Sequence, residues 1–208
     1  MVESDYIQPP PLLQQIVERT EMLGFNMASE VKTGALLRTL AAAKPKGRLL
    51  ELGTGTGIAT AWLLAGMDAD STLISVDTDP NVQQVAREFL GSDPRLELVL
   101  EDGLAFLRRQ PPESFDLVFA DAMVGKYEGL DDCLRVVRPG GFYIIDDMLP
   151  QTNWPVGHAE NVTVLLRQLA SKAALTMVPL AWASGVVVAA KRSSDHALVS
   201  QVVFVRLA

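Results

Sequence analysis

The chain has few of the features that would support a disulfide framework, a membrane span or a grip on nucleic acid. It has one cysteine among 208 residues. Cys133 therefore has no disulfide partner in the chain, which fits a reducing compartment, and a cytoplasmic location is expected. Beside "DD" in a helical stretch, that thiol reads as a packing residue. No apolar run approaches the roughly 18 residues needed to cross a bilayer, so no membrane partner is expected. The opening "MVESDYIQPPPLLQQ" lacks a basic region followed by an apolar one, and no secretory signal is expected. Lysine and arginine number 18 against 25 acidic residues, for a net charge of −7. These cations are scattered, whereas a protein that grips phosphates gathers them. Nucleic acid is thus an unfavourable partner, and a small molecule a favourable one.

What is present is an ordinary globular composition, 49% hydrophobic and 21% charged, of a length that suits one domain. Two helical stretches open the chain, at 11–23 and about 29–43. From residue 48, short runs rich in Val, Ile and Leu alternate with amphipathic stretches. The runs are "RLLELG" (48–53), "STLISVD" (71–77), "LELVLED" (96–102), "FDLVFAD" (115–121), "GFYIIDD" (141–147), "LTMVPLA" (175–181) and "GVVVAAKR" (185–192). Helices are expected between them at 57–66, 79–90, 103–110, 126–138 and 158–171. Asp79 with Pro80 reads as a cap and first-turn proline for the second of these. Continuous apolar runs indicate strands covered on both faces, hence a parallel sheet. The expected fold is α/β and Rossmann-like: a seven-stranded, mostly parallel sheet with helices on both faces. Only "WAS" lies between the last two runs, so they should pair as an antiparallel C-terminal hairpin. The division follows: N-terminal helices over the site (1–45), a Rossmann-like core (46–192) and an apolar tail (193–208) that packs on the sheet or on a partner subunit.

Chemistry is expected where the runs end: Gly53, Asp77, Asp102, Asp121 and Asp146 with Asp147. In an open parallel sheet the carboxyl ends of the strands share one edge, where ligands bind. In "LLELGTGTGIAT", Gly53, Gly55 and Gly57 let a tight turn pass close to a ligand, and the next helix aims free N–H groups at it. A dinucleotide fingerprint needs a third glycine where Ile58 stands. Glu51, just before the loop, would repel a phosphate and suits a ligand carrying positive charge. A carboxylate at Asp77 can accept both hydroxyls of a ribose. Asp102 is placed either to accept from an adenine amino group or to cap the helix that follows.

"LLELGTGTGIAT", "LISVDTDP", "LEDGLAFL", "FDLVFAD" and "VVRPGGFYIIDD" together resemble class I S-adenosylmethionine-dependent methyltransferases. More narrowly, the chain is similar to the metal-dependent O-methyltransferases of the catechol and caffeoyl-CoA type. The likeness runs over about residues 27–192 and includes "MASEVKTGALLRTL", similar to the family's helical segment over the cofactor. It implies that Glu51, Gly53, Gly55 and Gly57 surround the methionine part of the cofactor, Asp77 the ribose, and Asp102 with Gly103 the adenine, with Thr78 also binding the cofactor. Met27 and Ser29 would touch it from the lid side. Asp121, besides touching the cofactor, would ligate a divalent cation such as Mg²⁺ with Asp146 and Asp147. The alternative is that Asp121 orients the cofactor and the acidic pair caps a loop.

Two departures stand out. Where the family carries a lysine as general base, this chain aligns Val124, and Lys126 follows two residues later. Where the family has Asp-Asn, it has Asp146-Asp147. If Lys126 is not the base, His158 in the long loop "DDMLPQTNWPVGHAEN" is the substitute, with a pKa near neutrality. Trp154 in that loop either covers an acceptor or anchors the loop, and Trp62 and Trp182 read as packing residues. The resemblance implies methylation of a small-molecule hydroxyl with metal assistance, by a homodimer. A metal-independent N- or C-methyltransferase and a non-catalytic cofactor-binding protein are the rivals, with a nicotinamide dehydrogenase third, disfavoured by Glu51 and the shifted glycine.

Overall fold

The computed structural model describes residues 6–152, 154 and 156–193. Two helices come first, α1 (Leu13–Leu23) and α2 (Val31–Ala42). Alternating elements follow: β1 (Arg48–Leu52), α3 (Ile58–Gly66), β2 (Thr72–Asp77), α4 (Pro80–Leu90), β3 (Leu96–Leu100), α5 (Gly103–Arg109) and β4 (Phe115–Ala120). The chain then forms α6 (Leu130–Val136), β5 (Val137–Ile145), α7 (His158–Ser171), β6 (Leu175–Leu180) and β7 (Val186–Lys191). The expected cap is present: Asp79 accepts from the Asn81 amide at 2.8 Å, with Pro80 in the first turn of α4.

The strands form one sheet in the order β3-β2-β1-β4-β5-β7-β6. The first five are parallel, and β7 runs antiparallel to both β5 and β6. The mostly parallel sheet with an antiparallel C-terminal hairpin is therefore as expected. Successive strand residues face opposite sides. Leu50, Leu52, Ile74, Val76, Val118 and Ala120 pack under Phe106, Cys133 and Leu165 of α5, α6 and α7. Leu49, Leu73, Leu117 and Phe119 face the other way, onto Ile16, Leu37 and Trp62 of α1, α2 and α3. Cys133 is a buried packing residue, as its place beside two acids suggested, and burial pushes its thiol pKa up. Trp62 is buried as expected, and Trp182 is partly so, its indole N–H donating to the Lys32 carbonyl at 2.8 Å.

One helix differs from expectation. The stretch 126–138 is helical only over Leu130–Val136, and β5 begins directly at Val137, ahead of the run that marked it. Residues 123–128 instead make a tight reversal. The Gly125 amide donates to the Glu128 carbonyl at 2.7 Å, and the Tyr127 amide to the Met123 carbonyl at 2.9 Å. Gly125 sits in the left-handed region at φ 85°, and a Cβ there would come 2.6 Å from Leu52 Cδ1. The helix starts only after Gly129, which caps α6 in the left-handed region at φ 67°. The apolar tail beyond Ser193 lies outside the described residues.

Register places the strand ends. Leu52 pairs with Val76 on one side and Ala120 on the other, and Ala120 pairs with Ile145. The next residue on each strand is therefore Gly53, Asp77, Asp121 or Asp146, all at one edge. The core that holds this register should be sensitive to truncation. Phe119, fully buried beside β1, should cost about 3–5 kcal/mol as Phe119→Ala, whereas Leu100→Ala, at a side chain 50% exposed, should stay within about 0.5 kcal/mol. Urea titration of the two variants checks this.

Candidate active site

Two cavities open at that edge. The first, about 500 Å³, is walled by Gly53, Thr54 and Gly55 of the β1 turn, Asp77 and Thr78 after β2, and Asp102 and Gly103 at the start of α5. Met27, Ser29 and Asp121 complete it, together with Phe25, Ile58, Val82 and Val124. The second, about 350 Å³, is walled by Lys126, Tyr127, Asp146, Asp147, Gln151, Trp154, His158 and Ser184. Met27, Ser29 and Asp121 line both, so the cavities meet along that wall.

In the first cavity, Asp77 braces the glycine turn. One carboxylate oxygen accepts from the Gly55 amide at 2.8 Å and the other from the Asp79 amide at 2.9 Å. Each oxygen keeps a lone pair for a ligand hydroxyl. Asp102 accepts from the Ala105 amide at 2.8 Å, so the capping role is the one formed, while the residue still lines the cavity.

Two residues expected around the ligand lie elsewhere. Glu51 is fully buried and absent from the cavity wall. Strand alternation explains this: lying between Leu50 and Leu52, it points to the opposite helical layer. There it accepts from the Thr60 hydroxyl of α3 at 2.5 Å and from the Ser75 hydroxyl of β2 at 2.5 Å. Its other oxygen has no hydrogen-bond partner among the described residues. Burial, followed by these two hydroxyls acting in the opposite sense, leaves its pKa pushed up to about 8. Gly57 faces α4, where a Cβ would stand 2.7 Å from that of Ala86. Its glycine serves helix packing. Phe25 was missed by sequence reasoning: its ring lies over the turn, 3.3 Å from where a Gly55 Cβ would be. The signal for it was Gly24, whose left-handed φ of 71° ends α1 and turns the chain back over the site.

In the second cavity the charges are close and buried. Asp121 accepts from the Ser29 hydroxyl at 2.7 Å and lies 4.0 Å from the Lys126 ammonium. Lys126, 5% exposed, donates to the Asp146 carbonyl at 3.2 Å. Asp146 accepts from the Ser184 hydroxyl and, at 2.9 Å, from the Asp147 amide. Burial first, then the neighbouring Asp121 carboxylate, pushes Asp146 up to about 7. Burial also raises Asp121, with Lys126 opposing. Asp147 sits at a left-handed φ of 62° on the cavity wall. His158 opens α7; its Nε2 is 3.2 Å from the Tyr127 hydroxyl and its ring 4.5 Å from that of Trp154. Burial, then the Lys126 charge, lowers the His158 pKa. Lys126 and His158 are thus both brought to the site, with Val124 on the wall of the first cavity.

The acidic trio is a poor fit to a divalent cation. Two of its oxygens are already held by serine hydroxyls, and a buried ammonium faces Asp121. No group of three or more His, Cys, Asp or Glu is gathered as a metal requires among the described residues.

Residues 50–148 match the model of a methyltransferase domain family. A protein of Mycolicibacterium vanbaalenii named "Putative O-methyltransferase" is 34% identical over 133 residues, which is 62% of this chain and 58% of that one. The matched stretch is thus under two thirds of that relative's length. Among solved structures, an O-methyltransferase of this same qualified kind from Klebsiella pneumoniae is 26% identical, with a TM-score of 0.76 over 91% of this chain and 94% of that one. The O-methyltransferase TomG of Streptomyces achromogenes, in complex with S-adenosylmethionine, is 21% identical with a TM-score of 0.76, covering 91% and 93% of the two chains.

The buried Glu51 ties pH to stability. Its pKa rises from 4.5 in an open chain to about 8 here. The folded state therefore binds the extra proton between those values, and stability falls as pH rises through that window. Glu51→Gln should remove this slope, so that the wild type loses up to roughly 5 kcal/mol relative to the variant. Denaturant titrations of both proteins from pH 4.5 to 8.5 check it.

Proposed function

We propose that this chain, whose residues 50–148 match a methyltransferase domain family, is a class I S-adenosylmethionine-dependent methyltransferase and transfers a methyl group from S-adenosylmethionine to a hydroxyl of a small molecule. The observation that carries the proposal is the common wall of the two cavities: a donor in one and an acceptor in the other meet at Asp121. The relatives named as O-methyltransferases support transfer to oxygen in particular.

The donor occupies the first cavity. Asp77 accepts its ribose hydroxyls, the small residues Gly53, Gly55 and Gly103 give its flat and extended parts close approach, and Phe25 and Met27 cover it. Its sulfonium lies toward Asp121. The acceptor occupies the second cavity, with Trp154 and Tyr127 against its carbon frame and its hydroxyl directed at the shared wall. His158 takes the hydroxyl proton; its lowered pKa keeps the imidazole a free base at neutral pH. The oxygen lone pair forms the new O–C bond as the C–S bond breaks, and that electron pair stays on sulfur. The products are a methyl ether and S-adenosylhomocysteine, and the imidazolium returns its proton to water. Much of the acceleration comes from holding the two reactants in line.

The cofactor assignment has a direct test. A ligand at 100 times its dissociation constant adds about 2.7 kcal/mol, or roughly 5–10 °C in Tm for a domain of this size. S-adenosylhomocysteine should produce such a shift in the wild type and none in Asp77→Asn, which keeps the side chain's size. Tritiated S-adenosylmethionine offered with hydroxylated acceptors should then label an ether. No shift at saturating ligand would remove the proposal's foundation.

A further inference from the structure

We propose that the ammonium of Lys126 holds the place that a divalent cation would fill in the acceptor site, and so is the fixed positive charge met by the acceptor oxygen. The inference rests on the methyl-transfer assignment above for what the acceptor is, but its geometry stands alone. The side chain is 5% exposed, and a charged lysine is rarely buried without compensating groups. Its surroundings supply them: Asp121 Oδ1 at 4.0 Å and the Asp146 carbonyl at 3.2 Å. The other Asp121 oxygen is taken by the Ser29 hydroxyl at 2.7 Å, and Asp146 Oδ1 by the Ser184 hydroxyl and the Asp147 amide. Asp121 Oδ1, the carboxylate oxygen left for a cation on that residue, is the one facing the ammonium. A metal bound there at about 2.1 Å would have to displace it.

The backbone commits Lys126 to this position. The reversal at Gly125 turns the chain inward, and the Tyr143 hydroxyl donates to the Gly125 carbonyl, pinning the turn to β5. A lysine two residues earlier would start from Val124, which lies on the wall of the first cavity. At Lys126 the charge lies in the second cavity, beside His158. There it stabilises the acceptor oxygen as negative charge develops, while the proton leaves to the imidazole. A lysine ammonium is a compact point charge with three donors, suited to an acceptor oxygen, the Asp121 carboxylate and the Asp146 carbonyl at once.

Binding of Mn²⁺, followed by electron paramagnetic resonance on the protein saturated with S-adenosylhomocysteine, tests this without knowledge of the acceptor. The wild type should leave Mn²⁺ free. Lys126→Met should gain one site, tighter than in the wild type by about tenfold or more, as groups around ligating carboxylates shift metal affinity by that order. Lys126→Arg should remain blind to the ion. A wild-type site of one Mn²⁺ that is lost in Asp121→Asn would overturn the proposal even if Lys126→Met fails to fold. A folded Lys126→Met that stays as blind as the wild type would overturn it too, because the carboxylates would then not be holding a cation's place. Calorimetry with S-adenosylhomocysteine runs beside it as a separate arm. Lys126 does not line the first cavity, so its variants should keep that affinity. Loss of that binding in the wild type would refute the cofactor assignment and leave the Mn²⁺ result readable.

Discussion

Parallel pairing of β2, β1, β4 and β5 in one register is the constraint on which the rest depends. With Leu52 opposite both Val76 and Ala120, and Ala120 opposite Ile145, the chain has to leave all four strands at one level. Three of the four leaving residues are aspartates and the fourth is a glycine. Carboxylates that are 44 residues apart in sequence, Asp77 and Asp121, therefore end on the same cavity. The helical layers on both faces hold this arrangement by burying alternate strand residues, and they leave the edge as the open side.

The edge is then divided by charge. Around the first cavity the acidic groups are spent on backbone amides: Asp77 on the turn and Asp102 on α5. Around the second they are spent on hydroxyls and on an ammonium. Asp121 lines both cavities, which makes it the hinge of the proposed chemistry. The N-terminal segment takes part through Ser29, whose hydroxyl ties the covering strand of chain to Asp121 from 92 residues away. Burial moves four groups in the second cavity, Asp121, Asp146 and Tyr127 upward and His158 downward, a pattern frequent where protons are transferred.

Most of the fold was legible because apolar runs and turn residues signal elements locally. The hairpin, the parallel core and the cap at Asp79 all followed from such signals. The site was legible where it depends on strand ends, as at Asp77, Asp121 and Asp146. It was not legible where it depends on which way a side chain faces. Glu51 lies beside the glycine turn in sequence, but strand parity sends it under α3 to Thr60. Gly57 reads as part of a ligand loop and is instead required by the approach of Ala86. The bounds of the expected 126–138 helix could not be placed, because its apolar spacing continues into β5 at Val137 and its start is set by Gly129, a left-handed cap inside the stretch. Phe25 and Ser184 carry no motif; they reach the site through the turn after α1 and the loop between β6 and β7.

The account's central claim is that donor and acceptor meet at Asp121. A crystal structure of the chain with S-adenosylhomocysteine tests it most directly. The account predicts ribose hydroxyls on Asp77 and the sulfur turned toward Asp121, opening on the cavity that holds Lys126 and His158. A ligand whose sulfur faces away from that wall, or that sits outside the first cavity, would contradict it.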